Sequence, residues 1–172
     1  MNLKQVLACA IVLFAVFSAT EARAQQNLNV SATVPNVCVI TNPGTALNLA
    51  FDLSTLDTAT VDFTQSVNFL WRCSLNTAAT INLSSGGGTG ADANTRYMTG
   101  PGGAQLAYTL ETPGGVAWGD GSNNQPGYGV TGAGMLPANE QTTPIDGTVT
   151  LAAAQAAPVG AYSDVVVITL LP

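Results

Sequence analysis

The chain has 172 residues, with ten Asp and Glu against four Lys and Arg, no histidine, and 47% hydrophobic residues. That length gives one domain of ordinary size with a real core, and the apolar content rules out a disordered chain. A net charge of −6 would be repelled by phosphate backbones and anionic lipid, which excludes nucleic acid and membrane surfaces as partners.

The first residues read as an export signal. Lys4 supplies a positive start, Val6 to Phe17 is an apolar run, and Ala22-Arg23-Ala24 places small residues where signal peptidase needs them. Cleavage after Ala24 leaves 148 residues. The apolar run is too short to span a bilayer comfortably. A lipoprotein reading of Val6-Leu7-Ala8-Cys9 fits poorly, because Cys9 precedes most of the apolar run. No other long apolar run exists, so the mature chain is expected to work outside a membrane. It keeps only Arg72 and Arg96 as cations against nine acids, a net charge of −7.

Residues 25–37, from Gln25 to Val37, precede the first cysteine of the mature chain. Leu28, Val30, Ala32 and Val34 alternate with Asn29, Ser31 and Thr33, a strict period of two with one apolar face. This is either an ordinary first strand of its own domain or a donor strand given to the open edge of another copy. Cys38 and Cys73 remain after cleavage, and an exported chain with two cysteines reads as one disulfide. The loop spans 36 residues inclusive, worth roughly 4 kcal/mol in the chain-entropy model.

Further along, the apolar pattern is strand-like almost throughout. Leu47, Leu49, Phe51 and Leu53 alternate, as do Val61 and Phe63, then Val67, Phe69, Trp71 and Cys73. Ile81 and Leu83 follow, then Leu106, Tyr108 and Leu110, then Val149 and Leu151. The last run is Tyr162, Val166, Ile168 and Leu170, with Val165 and Val167 on the opposite face. Asn42-Pro43-Gly44, Ser84 to Gly90, Gly100 to Gly103, Pro113-Gly114-Gly115, Asp120-Gly121 and Asp146-Gly147 mark turns between these runs. Ala152 to Ala157 can make one turn of helix at most before Pro158. The stretch from Gly119 to Thr143 reads as a surface loop or a loosely held edge. Six or seven short strands at this spacing predict an antiparallel β-sandwich. The sequence ends on a strongly apolar strand, where a complete immunoglobulin-like sandwich would add one more. An uncovered apolar edge is a hazard unless something pairs with it. The expectation is therefore an incomplete immunoglobulin-like sandwich over residues 38–172, lacking its last strand. Val166, Ile168 and Leu170 would line its acceptor groove, and Leu28, Val30, Ala32 and Val34 would form the donor strand.

Chemistry finds little foothold. Without histidine the usual proton shuttle and triad base are missing, and the acids form no recognisable pair. Gly86-Gly87-Gly88 lacks the Lys-Ser/Thr of a phosphate loop, and two isolated cysteines make no zinc site. No enzyme, cofactor or metal is expected. Trp71 and Trp118 read as packing residues rather than sugar platforms. Arg96 reads as pairing an acid or capping a loop. Asp120 shapes a turn with Gly121 and lacks the oxygen-rich neighbours calcium needs. The sequons at Asn29 and Asn82 carry no weight in a chain rich in Asn and Thr.

Several stretches also carry a resemblance: Asn29 to Val34 before Cys38, Phe69-Leu70-Trp71-Arg72-Cys73, Arg96-Tyr97-Met98, Leu106-Ala107-Tyr108, Trp118-Gly119-Asp120-Gly121, and Val159 to Thr169. Their order and spacing resemble the spore coat protein U domain family over essentially the whole mature chain. The family includes subunits of archaic chaperone–usher pili. The resemblance implies a periplasmic chaperone, an outer-membrane usher and a fibre of like subunits built by donor-strand complementation, exported to the cell surface for adhesion or biofilm formation. Two other readings remain at this level: a secreted module binding a glycan or surface through the Trp118 to Thr143 region, and an envelope or coat protein that makes no fibres.

Overall fold

The computed structural model describes residues 26–42, 46–122 and 125–172. The chain divides into two units, Met1–Thr33 and Val34–Pro172. The signal sequence expected over residues 1–24 lies outside the described residues. In the first unit, residues 26–33 carry neither helix nor strand, and Leu28 and Val30 are 87% and 84% exposed.

The second unit is a β-sandwich. Its strands are β1 (Cys38–Ile40), β2 (Phe63–Cys73), β3 (Ala78–Leu83), β4 (Arg96–Thr99), β5 (Gln105–Glu111), β6 (Tyr128–Thr131), β7 (Gln141–Val149) and β8 (Ile168–Leu171). Five of them form one sheet in the order β1-β2-β7-β5-β4, and three form the other in the order β6-β3-β8. Every pairing between these strands is antiparallel.

Period-two burial builds the core. Phe69, Trp71 and Cys73 of β2, Leu106, Tyr108 and Leu110 of β5, and Ile145 and Val149 of β7 point inward from the larger sheet. Ala79, Ile81 and Leu83 of β3 meet them from the smaller one. The two indoles are fully enclosed, and each finds a partner for its N–H as buried tryptophans usually do. Trp71 Nε1 donates to Thr143 Oγ1 at 2.9 Å, and Trp118 Nε1 to the Ile81 carbonyl at 2.8 Å.

Four expectations need correction. The stretch from Gly119 to Thr143, read as a surface loop or a loosely held edge, is in part an edge: it contains β6, which pairs with β3 at the rim of the smaller sheet, but also the start of β7, inside the larger one. Leu47 to Leu53 keeps its alternation of half-buried and exposed residues but belongs to no ladder. Residues 151–156 form a short helix, α1 (Leu151–Ala156), somewhat more than the single turn expected. Thr150 accepts from Ala153 N–H as its N-cap, and Asp62 takes the Leu151 N–H at 2.8 Å, so two otherwise orphaned donors are met. Val61, expected to alternate inward, is 72% exposed ahead of β2.

Pro144 lies within β7, where a sheet interior would ordinarily reject it. It stands opposite Asn68 of β2, and β5 pairs with β7 only at Asp146, Gly147 and Thr148, so the other side of Pro144 has no strand to serve.

Cys38 and Cys73 form the disulfide, facing each other across the β1–β2 pair with Cα atoms 4.0 Å apart. It ties the three-residue β1 to the long β2. Replacing both cysteines by serine is expected to lower stability by up to about 4 kcal/mol, read as a drop in the urea midpoint with a slope that rises as the unfolded chain expands. An unchanged midpoint would show that the bond contributes nothing to the fold.

Candidate functional site: an open cleft beside the last strand

The smaller sheet covers only part of the inner face of the larger one. Residues 46–53 lie over another part, with Leu47, Leu49, Phe51 and Leu53 turned inward. Gly147 of β7 makes room for them. A Cβ there would stand 3.0 Å from Phe51 Cζ and 3.3 Å from Leu110 Cδ2, and closer still to Leu49. Phe51 in turn leans on Tyr108, ring centroids 6.5 Å apart.

Between residues 47–53 and residues 160–168 lies a cleft of about 700 Å³. Val67, Met98, Leu106, Leu110, Ile145 and Leu83 form its apolar floor. One wall carries Leu47, Leu49, Phe51 and Leu53, and the other carries Tyr162, Asp164, Val166 and Ile168. Most of these wall side chains remain half-buried although they are apolar.

The C-terminal segment crosses from one sheet to the other. Ser163 exchanges two backbone hydrogen bonds with Thr99 of β4, at 2.9 and 3.1 Å. Four residues later Val167 has moved to β3: its carbonyl accepts from Ser84 N–H at 3.0 Å, and its N–H donates to Ser84 Oγ at 2.9 Å. From there, among the described residues, β8 pairs with β3 on one side only. Backbone groups alternate along a strand, so those of Val166, Ile168 and Leu170 face away from β3. Their side chains are half-buried, while Val165 and Val167 are 79% and 60% exposed. The sequence pattern therefore identified the inward face. The three residues differ in one respect: all pack against the core, but only Val166 and Ile168 also line the cleft.

One polar cluster closes the far end of the cleft. Asp164 shares the inward phase of Tyr162, Val166 and Ile168. Its carboxylate accepts from Tyr108 Oη at 2.6 Å, from Gly87 N–H at 2.7 Å and from its neighbour Val165 N–H at 2.7 Å. Gly86 has φ +83°, and any Cβ on it would strike the carboxylate. Burial, helped by the bond to Asp164, raises the Tyr108 phenol above its ordinary 10.0.

Arg96 is completely buried next to this cluster. Its guanidinium donates to the carbonyls of Ser84 at 3.0 Å, Ala93 at 3.1 Å and Trp118 at 2.6 Å. Burial lowers its pKa from the usual value. It caps loops rather than pairing with an acid, and so pins the turns after β3, before β4 and after β5. Sequence reasoning could not assign these partners, because carbonyl oxygens leave no mark on a sequence.

The remaining candidates have structural roles. Asp120 Oδ1 takes the N–H and hydroxyl of Ser122, with Gly121 at φ +86°, which makes the expected turn and holds the carboxylate below its usual range. Trp118 is inaccessible to a sugar. Among the described residues no cluster of three His, Cys, Asp or Glu side chains could hold a metal ion.

The five- and three-stranded antiparallel sheets, with an apolar cleft beside an edge strand, place the fold in the class of two-sheet β-sandwiches. The chain belongs to the Spore Coat Protein U domain family, whose model matches residues 24–169. Among solved structures it is similar to a chain in the crystal structure of the CsuC–CsuE chaperone–tip adhesion subunit pre-assembly complex from archaic chaperone–usher Csu pili of Acinetobacter baumannii. The TM-score is 0.53 at 20% identity, over 81% of this chain and 40% of that one. At that identity the likeness is one of fold, and this chain spans well under half the length of its counterpart. No match was found among curated proteins.

Two measurements test the cluster. Arg96→Met leaves three buried carbonyls without a donor and is expected to cost about 3 kcal/mol or more in urea unfolding. The raised phenol of Tyr108 contributes fully below its ordinary value of 10.0, and that contribution is lost as the pH climbs towards the raised value. Stability should therefore fall above about pH 10, and Tyr108→Phe should flatten that decline. An identical alkaline profile for the two proteins would show that the phenol does not titrate with unfolding.

Proposed function

We propose that this chain is a structural subunit of an archaic chaperone–usher pilus, polymerised by donor-strand complementation. The observation that supports this reading most strongly is the unpaired edge of β8 running along a half-filled apolar cleft. The chain also offers something of the right shape. Leu28, Val30, Ala32 and Val34 alternate strictly, and Leu28, Val30 and Val34 are all more than 80% exposed. A strand inserted beside β8 would bond its main chain to Val166 and Ile168 and place alternate side chains in the cleft.

On this reading residues 1–24 direct export, residues 25–37 carry the donor strand and residues 38–172 form the acceptor sandwich. A periplasmic chaperone lends the strand before assembly, and an outer-membrane usher exchanges it for the donor of the next subunit. The fibre stands on the cell surface and serves adhesion or biofilm formation. The exchange runs without an external energy source if the donor buries more apolar area than the chaperone. At ~25 cal/mol per Å², an extra ~200 Å² is worth roughly 5 kcal/mol as an upper bound. Membership of the Spore Coat Protein U domain family and the fold shared with a chaperone–subunit complex support the same reading. A sugar-binding module loses its best stacking residue, since Trp118 is fully buried.

Deleting residues 25–34 is expected to leave a chain that co-purifies with its chaperone but forms no fibres. A stable lone monomer from that deletion, without chaperone, would mean that the sandwich is complete. A point test separates the two faces of β8. Ile168→Asp should abolish both chaperone binding and fibre formation, because it places a charge in the cleft. Thr169→Lys, on the exposed face, should be milder. Wild-type fibre yield from Ile168→Asp would remove β8 as the acceptor wall.

A further inference from the structure

Within the donor-strand reading just given, the cleft also specifies how the incoming strand must sit. We propose that Tyr162, Asp164, Val166 and Ile168 fix its register, facing Val34, Ala32, Val30 and Leu28 of a second copy in that order. The acceptor segment turns four positions into the cleft, and the donor has four inward positions. Leu170 has the same phase but lies outside the lining of the cleft. It is therefore not the partner of Leu28. Antiparallel pairing is the only kind found between the strands described here.

The chemistry of the four positions makes the match specific. Three acceptor side chains are apolar or aromatic, and the fourth is the carboxylate of Asp164. Its oxygens are already engaged by Tyr108, Gly87 and Val165, and Gly86 leaves it no space to withdraw. The donor side chain above it must be small, or it will crowd the carboxylate and strip its remaining water. Ala32 is the smallest of the four. Val34 then lies over the Tyr162 ring, a β-branched and aromatic pair of the kind favoured across strands.

A slip must be by two residues, because a slip by one turns the polar face inward. Sliding towards Leu170 sets Val34 on Asp164 and leaves Ala32 short of Val166. Sliding the other way sets Val30 on Asp164 and brings Gln26 to Ile168. Both slips cover the carboxylate with a β-branched side chain.

Engineered cysteines in the full chain read the register directly. Val30→Cys with Val166→Cys is expected to give a ladder of covalent oligomers on non-reducing gels, with peptide mapping identifying the 30–166 bond. Val30→Cys with Ile168→Cys should give little. Each pair is directly opposed in one of two registers two residues apart, with the same geometry in each, so their difference reports register rather than reactivity. A ladder from the second pair alone would overturn the register while keeping the donor strand. No intermolecular bond from either pair, with fibres still formed, would also overturn the register, since the opposite slip sets residue 30 against residue 164; the same result without fibres would reject the donor strand itself. A second measurement avoids cysteine chemistry. Ala32→Leu overpacks the Asp164 position and should lower fibre yield about tenfold. Thr33→Leu, on the opposite face, should leave the yield near that of the parent. Unchanged yield from Ala32→Leu would show that Asp164 does not face residue 32.

Discussion

The constraint behind this structure is a mismatch between its layers. A sheet with one apolar face must bury that face against something. Here five strands present the face and three strands cover it. Residues 46–53 extend the cover without joining a ladder, and the C-terminal segment from Tyr162 onward extends it from the other side. The cleft is what remains between them. Its lining comes from residues far apart in sequence, yet each is turned inward by the same two-residue alternation.

An open cleft would collapse if its walls were loose, and the polar interior keeps them apart. Arg96 holds carbonyls from three turns at fixed positions around the buried Trp118. Beside it the Tyr108 hydroxyl and the Gly87 amide grip Asp164, and Ser163 is bonded to Thr99. The C-terminal segment is thus fixed at one end by β4 and the glycine turn, and at the other by β3. Only its outward edge is left without partners. The buried charge of Arg96 meets no acid and gains no Coulomb attraction from a close pair. It satisfies main-chain oxygens that water cannot reach, which is where a guanidinium with five donors is most useful.

Much of this was legible in the sequence, and the limits follow from what periodicity measures. Alternation reports which way side chains point. It therefore identified the inward residues of β2 and β5, and the inward face of Val166, Ile168 and Leu170. It says nothing about hydrogen-bond partners, which is why Leu47 to Leu53 reads as a strand although it pairs with nothing. It is also silent where outward side chains are missing. Gly129 interrupts the pattern of β6, and Pro144 disguises β7, whose inward Thr143 and Gly147 are not apolar. The separation of Leu170 from Val166 and Ile168 depends on where the cleft ends, which no local pattern reports. Asp164, a polar residue in phase with an apolar run, was not singled out by the sequence pattern. Its partners Tyr108 and Gly87 lie 56 and 77 residues away, beyond any spacing argument.

A carboxylate in the wall of an apolar cleft looks like a loss of affinity, since each polar atom there is apolar area forgone. It makes sense as a device for selection. An apolar cleft alone accepts any alternating strand in any even register, because Leu, Val and Ile exchange places at modest cost. One fixed polar position removes that degeneracy. Strands with a large side chain at the wrong place must crowd or desolvate a charge, and specificity built on such penalties costs the correct partner little. If a donor strand binds here as proposed, unrelated exported strands and the chain's own slipped registers would meet the same obstacle. On the proposed reading the depth of the cleft supplies the binding energy, and Asp164, held rigidly by Tyr108 and Gly87, decides which strand and which register can collect it.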